Sequence, residues 1–160
     1  MITIKQIERA VIQLASRYDG CKELTLVGVM DGALMFLRDL AAALTADLIV
    51  CTTKVSTYEG TQRVKEPKIL VPIPEQYIKG KDVIIVEDII DSGSTIDCVL
   101  EYVKSMKPRG VVVLSVFDNV GKADFNLFGA TDEFVVGYGM DYNGRYREYP
   151  YIETLKEMEK

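Results

Sequence analysis

The hydrophobic residues of this chain fall into two kinds of pattern, which together predict an α/β fold. Largely apolar runs at 24–29, 83–86 and 111–117 are rich in Val, Ile and Leu, which is typical of strands buried on both faces. Apolar residues recur at helical spacing over 4–17 and 33–44, which predicts amphipathic helices. Strands that alternate with helices favour an open, mostly parallel twisted sheet with helices on both faces. The first helix repeats apolar residues at Ile4, Ile7, Val11 and Leu14. The second is expected to face the sheet with Leu34, Leu37, Leu40, Ala41 and Leu44.

Three further strands are predicted from shorter apolar and β-branched runs, at 47–55, 68–73 and 133–138. Pro72 and Pro74 favour a sheet edge for the second of them, because proline cannot donate a hydrogen bond to a neighbouring strand. The last eight residues predict a short charged helix.

The segment 56–67 is polar, charged and without hydrophobic period. Two interpretations fit it: a long exposed loop, or two ragged strands of a mobile hairpin. Long excursions of this kind in a compact domain often act as lids over a site, so we expect a mobile lid here.

The composition predicts one domain over residues 1–160 and excludes several functions. The chain is 48% hydrophobic with a net charge of −5, which argues against binding nucleic acid or a membrane surface. There is no histidine, so acid–base chemistry would have to come from carboxylate, tyrosine or lysine. The three cysteines are spaced neither as metal ligands nor as a disulfide framework, which favours reduced thiols and a cytoplasmic location. The first residues do not resemble a signal sequence.

The stretch Val83–Ile96 carries the strongest chemical signal. Glu87 and Asp88 stand side by side where the strand is expected to end, and Asp91–Thr95 forms a small hydroxyl-rich turn before a helix. One interpretation is an ordinary connection in which Asp91 or Ser92 caps the helix. However, adjacent carboxylates usually have a cation or hydroxyl groups to bind. The backbone N–H groups of such a turn attract anions, and no basic side chain is expected beside it.

Because ligands of parallel sheets bind beyond the carboxyl ends of the strands, several polar segments should meet at one cleft. They are Met30–Gly32, the 56–67 segment, Glu87–Thr95, the end of the 111–117 strand and Phe134–Asp141, with guanidinium charge from Arg145 and Arg147. A phosphorylated sugar, a divalent cation and a flat ring suit this set of groups.

The segment Val86–Thr95 resembles the phosphoribosyl pyrophosphate signature of the type I phosphoribosyltransferases. Other segments resemble the hypoxanthine-guanine members: Val27–Ala33, Val55–Thr61, and Asp132–Asn143 with Arg147. The resemblance implies the family's sheet with a small hood and lid. It also implies transfer of 5-phosphoribosyl to N9 of hypoxanthine or guanine, giving IMP or GMP and pyrophosphate. It further implies Mg²⁺ and a homodimer or homotetramer, to which the first helix or the edge of the 47–55 strand would contribute.

The resemblance also implies roles for individual residues around the ribose. Glu87 and Asp88 would bind the ribose hydroxyls directly or through Mg²⁺, with Asp141 as a further metal ligand. The catalytic residues would be Asp91, near purine N7, and Tyr58 and Arg147. The 5′-phosphate would be held by Asp91, Ser92, Gly93, Ser94 and Thr95.

The remaining implied roles concern the two other parts of the substrates. Phe134 would stack on the purine, and the backbones of Val135 and Asp141 would read its edge. Arg147 would bind pyrophosphate, and Thr57 would sit with Tyr58 at the tip of the lid. The pyrophosphate loop would be Met30, Asp31 and Gly32, where this family often has a non-proline cis peptide.

Two departures from the family pattern leave alternatives open. Asp31 stands where many relatives have lysine, and the lysine that usually follows the 111–117 strand to contact the purine 6-oxo group is missing. Asn119 or Lys122 could donate there instead, whereas Asp118 is an acceptor. A preference for xanthine or adenine is therefore one competing hypothesis. Another is a nucleotide sensor without turnover, which the resemblance also allows because some relatives of this fold act in that way.

Overall fold

The computed structural model describes residues 1–59 and 62–158, and the side chains of 1–56 and 67–157. The helices are α1 (Ile4–Ala15), α2 (Leu34–Ala43), α3 (Ser94–Ser105) and α4 (Leu155–Met158). The strands are β1 (Glu23–Val29), β2 (Asp47–Glu59), β3 (Gln62–Val71), β4 (Asp82–Ile90), β5 (Gly110–Asp118), β6 (Phe125–Asn126), β7 (Val135–Val136) and β8 (Glu153–Thr154).

Six strands form one sheet in the order β3-β2-β1-β4-β5-β6, in which β2 and β3 are antiparallel and the other pairs are parallel. The predicted mostly parallel sheet is therefore confirmed, and β3 is at its edge as the prolines indicated. The interpretation of 56–67 as part of a hairpin is the one that the pairing of β2 with β3 supports. The 47–55 strand is not an edge strand, because β2 lies between β1 and β3.

The sheet buries an apolar core on each face, which follows from the alternation of side chains along its strands. Leu26, Ile84 and Val86 pack with α1 and α2, whereas Val27 and Ile85 pack on the opposite face with α3. Thr3 begins α1 with a reciprocal capping box to Gln6. No helix in the described part of the chain is long and apolar enough to cross a membrane.

Three local expectations are wrong, each for a physical reason. Leu34 is 55% exposed, because the first turn of α2 buries Phe36 and Leu37 instead. The β4 strand continues past the acidic pair to Ile90, paired with β5. The 133–138 strand shortens to Val135–Val136, because Gly137 has a φ of +90° that extended backbone does not allow.

Candidate active site

A cavity of about 710 Å³ opens beside the carboxyl end of β4, within the range of small-molecule sites. One wall carries the Phe134 ring, which is 57% exposed and meets the Tyr142 ring edge-on at 5.6 Å between centroids. Carboxylates line much of the remainder. Such a cavity suits a flat ring with polar edges. Its lining residues are Asp88, Ile89, Asp91, Asn119, Ala130, Thr131, Asp132, Glu133, Phe134, Val135, Met140 and Asp141.

The segment expected to bind phosphate, Asp91–Thr95, joins β4 to α3 next to this cavity, and we call it the phosphate loop. Gly93 precedes α3 with a φ of +80°, a conformation that glycine adopts without strain. The hydroxyls of Ser92 and Ser94 are 3.1 Å apart, the Ser94 N–H donates to the Ser92 hydroxyl at 3.5 Å, and the first turn of α3 follows directly. A smaller cavity of about 90 Å³ lies against this loop, with Glu87, Asp91, Ser92, Gly93 and Thr95 among its lining residues. Hydroxyls and N–H groups around a small hollow at a helix N-terminus are groups that can bind an anion.

Lys122 lies over the phosphate loop, contrary to the expectation that no basic side chain is beside it. A methyl group added at Gly93 would come within 2.7 Å of the Lys122 side chain, and the Lys122 ammonium pairs with Asp97 in the first turn of α3. The turn after β5 brings it there, because the Asp118 carboxylate accepts hydrogen bonds from the N–H groups of Val120, Gly121 and Ala123.

These hydrogen bonds also lower the pKa of Asp118, which favours its charged form. Burial raises the pKa of its carboxyl, but the backbone N–H donors outweigh that effect and leave the pKa below its ordinary value. The Asp118 carboxylate is therefore hydrogen-bonded within its own turn and holds the conformation of that turn.

The acidic pair is divided between the two faces of β4. Asp88 lines the larger cavity, whereas Glu87 is buried against the smaller one. Burial raises the pKa of Glu87 well above its ordinary value, and the charge of Asp88 and a hydrogen bond with its side chain raise it further. The N–H of Asp88 donates to the Glu87 carboxylate at 3.1 Å, which acts in the opposite direction. A bound cation or a substrate hydroxyl would stabilise the charged form of this pair.

Three segments come into direct contact beside Asp88. A methyl group at Gly32 would lie 1.8 Å from a carboxylate oxygen of Asp88, and one at Gly139 would lie 2.2 Å from the Gly32 carbonyl oxygen. Both positions therefore need glycine for close approach. The peptide bond between Met30 and Asp31 is cis. The 30–32 turn, β4 and the loop after β7 thus stack on one another.

Two ion pairs lie beside this contact. Lys54 on β2 forms an ion pair with Asp31 at 2.7 Å. Arg147 bonds the Asp141 carboxylate at 2.8 Å and the Gly139 carbonyl at 2.7 Å. The hydrogen bond from Lys54 lowers the pKa of Asp31, and the positive charges of Lys54 and Arg147 lower it further, against a smaller effect of burial. We call Met30–Gly32, Lys54, Asp141 and Arg147 the assembled corner.

Comparison with known proteins assigns the site to a family. The family model for the phosphoribosyl transferase domain matches residues 2–143. This chain belongs to the phosphoribosyltransferase family. The hypoxanthine phosphoribosyltransferase of Escherichia coli (strain K12) is 38% identical over 148 residues, which are 88% of this chain and 83% of that protein. The hypoxanthine-guanine phosphoribosyltransferase of Staphylococcus aureus (strain Mu50) is 38% identical over 151 residues, 90% of this chain and 83% of that protein.

Solved phosphoribosyltransferases share the fold. A hypoxanthine-guanine phosphoribosyltransferase from Bacillus anthracis superposes with a TM-score of 0.86 and 31% identity, covering 96% of this chain and 94% of that one. A hypoxanthine phosphoribosyltransferase from Trypanosoma cruzi, solved with the product IMP, gives a TM-score of 0.85 at 28% identity, covering 97% and 92%. The expectations of a type I phosphoribosyltransferase fold and of a transferase enzyme in purine salvage are confirmed by these relatives.

The structure places most of the residues that sequence singled out around one phosphoribosyltransferase cleft. Asp88, Asp91, Phe134, Val135 and Asp141 line the larger cavity, and the cis peptide expected in the 30–32 turn is present. Thr57 and Tyr58 lie within β2, but their side chains are outside the described residues, so the lid tip remains a prediction. The individual ligand contacts also remain predictions.

Sequence reasoning missed two lysines of the site. Lys54 precedes the segment that resembled the family lid, but its contact with Asp31 depends on β1 and β2 being neighbours in the sheet. Lys122 was considered for the purine and lies instead at the phosphate loop. In neither case did spacing along the chain carry a signal, since both contacts join different segments.

Proposed function

We propose that this chain transfers the 5-phosphoribosyl group of phosphoribosyl pyrophosphate to N9 of hypoxanthine or guanine. The products are IMP or GMP and pyrophosphate. The observation that carries the proposal is the position of Asp91, which lines both the cavity with Phe134 and the small cavity at the phosphate loop. One carboxylate thus stands between a site for a flat base and a site for a phosphate. The names of the two curated relatives described above support the same reaction.

In the proposed reaction, the bond from the ribose anomeric carbon to pyrophosphate breaks and a bond to N9 forms, through an oxocarbenium-like state. Asp91 accepts the proton that the purine loses, and Phe134 holds the ring in position. Arg147 and Lys54 offset the negative charge of the departing pyrophosphate. Thr57 and Tyr58 would close over the site and exclude water, which would otherwise compete with the purine for the oxocarbenium-like ribose. The phosphate loop holds the 5′-phosphate.

The carboxylates of the cleft suit the usual coordination of Mg²⁺. No group of three or more acidic, histidine or cysteine side chains in the described residues is arranged to hold a metal by itself. Mg²⁺ commonly takes one or two carboxylates and completes its shell with water and substrate phosphate oxygens. Asp88 and Asp141 on the cavity wall, with Glu87 behind them, are the carboxylates proposed to hold it. When bound, it would offset charge on pyrophosphate.

Turnover with different bases tests the proposal directly. Purified protein with Mg²⁺ and phosphoribosyl pyrophosphate should release pyrophosphate when hypoxanthine or guanine is added, and IMP or GMP should be recovered by chromatography. No release with hypoxanthine, guanine and xanthine alike would reject the function. Because the usual oxo-contacting lysine is absent, adenine and xanthine belong in the same assay as the alternative substrates.

We also propose a cytoplasmic homodimer or homotetramer. Exposed apolar side chains support self-association, since large apolar surfaces often mark interfaces. Sedimentation of the purified chain, with and without phosphoribosyl pyrophosphate, measures the assembly; a monomer at all concentrations would reject it. Among the exposed apolar residues are Ile4 and Ile12 on α1, Leu34 on α2, Val50 on β2, and Leu70 and Val71 on β3.

A further inference from the structure

Asn119 directly follows β5, and the structure fixes the orientation of its side-chain amide. Its Oδ1 accepts a hydrogen bond from the N–H of Thr131 at 2.8 Å, and its Nδ2 donates to Asp91 at 3.2 Å. Its own backbone N–H is bound to the carbonyl of Ile90 at 2.9 Å. Rotating the amide by 180° would place its NH₂ group against another N–H donor. The NH₂ group must therefore point toward Asp91.

An amide NH₂ group has two hydrogens, and Asp91 takes one of them. Asn119 lines the larger cavity, so its second hydrogen is a donor on the cavity wall. Of the side chains that line this cavity in the described part of the chain, the others are carboxylates, apolar groups or the Thr131 hydroxyl, which donates to the Glu133 carbonyl. Among the described residues of this wall, Asn119 therefore supplies the side-chain N–H donor.

A donor next to a carboxylate matches one edge of a 6-oxopurine. Atoms N7 and C6 of the purine ring are both bonded to C5, so N7 and the C6 substituent lie on the same edge. The C6 substituent is an acceptor oxygen in guanine but a donor amino group in adenine. With N7 at Asp91, the C6 substituent faces Asn119. An oxygen there receives a hydrogen bond, whereas an amino group meets another donor.

We propose that Asp91 and Asn119 read the N7–C6 edge of a 6-oxopurine together, with Asn119 donating to the 6-oxo oxygen in place of the missing lysine. Asp91 accepts from the N7 side. This inference rests on the proposed function, since it names the base that the same cavity selects. It accounts for the absence of the family lysine without a change of base.

Removing the oxygen from the substrate and the amide from the enzyme tests this pairing. With Asn119→Ala, kcat/KM for hypoxanthine should fall roughly 10–100-fold, because the 6-oxo group loses its donor. With unsubstituted purine, or its Ki where it is not turned over, the same variant should change less than about threefold. The KM for phosphoribosyl pyrophosphate should stay within about twofold.

A second variant keeps the contact to Thr131. Asn119→Asp retains an oxygen for the Thr131 N–H but replaces the donor by an acceptor, so the ratio of kcat/KM for adenine to that for hypoxanthine should rise at least about tenfold. Asn126→Asp is the matched control, because Asn126 is exposed on β6 and its Oδ1 accepts from Gly129 outside the cavity. That variant should leave the ratio unchanged.

The outcomes separate this inference from the proposed function. Equal losses with hypoxanthine and unsubstituted purine would mean that Asn119 only positions Asp91, and would overturn the inference. Unchanged base ratios in both Asn119 variants of an active enzyme would also overturn it and leave the function standing. A wild-type protein that is silent with every base would overturn both.

Discussion

The phosphate loop and the assembled corner hold the two ends of the same substrate in the proposed complex, but the chain builds them differently. The phosphate loop is one continuous stretch whose conformation depends on Gly93 and on the start of α3. The assembled corner joins four segments, from Met30 to Arg147, by ion pairs and by contacts that leave no room for a methyl group. A continuous site can be recognised from its sequence, whereas an assembled one depends on the whole sheet.

The largest difference between the two regions should appear on replacing Asp91. Asp91→Asn should lower kcat roughly 10²–10⁴-fold, the usual range for a general acid–base group, while the KM for phosphoribosyl pyrophosphate is largely kept. The new side-chain amide at position 91 keeps an oxygen for Asn119 but cannot take the purine proton. Steady-state kinetics with hypoxanthine measure the fall in kcat. An unchanged kcat would remove Asp91 from the chemistry.

Substitutions in the assembled corner should change the KM for phosphoribosyl pyrophosphate more than they change kcat. Lys54→Met leaves the Asp31 carboxylate without its ion pair, facing the anionic pyrophosphate. The KM for phosphoribosyl pyrophosphate should rise about tenfold, which is about 1.4 kcal/mol, and the rise should be larger at low salt. Lys79→Met is the control, because Lys79 forms an exposed ion pair with Glu75 on another part of the surface. Equal KM values for the two variants would show that Lys54 does not act on the substrate.

Lys122 tests whether the phosphate loop is as self-contained as its sequence suggests. Lys122→Met removes an ammonium that lies against Gly93, and the KM for phosphoribosyl pyrophosphate should rise about two- to fivefold, as for a partly exposed charge contact of about 0.2–1 kcal/mol. Lys104→Met changes the far end of α3 and should have no effect. If both variants match the wild type, the loop holds its phosphate without help from the turn after β5.

The smallest effect is expected on stability, from Glu87→Gln in the absence of Mg²⁺ and substrate. The pKa of Glu87 is raised in the folded state, so the stability it contributes is fully present below its unfolded pKa of about 4.5 and is lost as pH rises through the folded pKa. Glutamine does not titrate. The Tm of the variant relative to wild type should therefore increase from pH 4.5 to pH 8, by about 2–4 °C for each kcal/mol. A difference in Tm that is constant with pH would contradict the raised pKa.

The sequence predicted what adjacent residues determine. The apolar runs located β1, β4 and β5, and the motif from Glu87 to Thr95 located the connection between β4 and α3. It did not predict that β4 continues to Ile90 or that Gly137 ends β7 so early, because sheet pairing and a positive φ decide those points. Contacts such as Lys54 with Asp31 join residues that become neighbours through strand order alone.

The stacking of Gly139 on Gly32, and of Gly32 on Asp88, has a consequence for the order of events during a reaction cycle. The segments proposed to contact the base and the pyrophosphate touch through backbone at Gly139 and Gly32, and Gly32 lies directly against the Asp88 carboxylate of the segment proposed to contact the ribose. A ligand that shifts one segment must therefore change the affinity of the others, and this coupling is reciprocal. The two substrates should bind cooperatively and in a preferred order, rather than independently of each other.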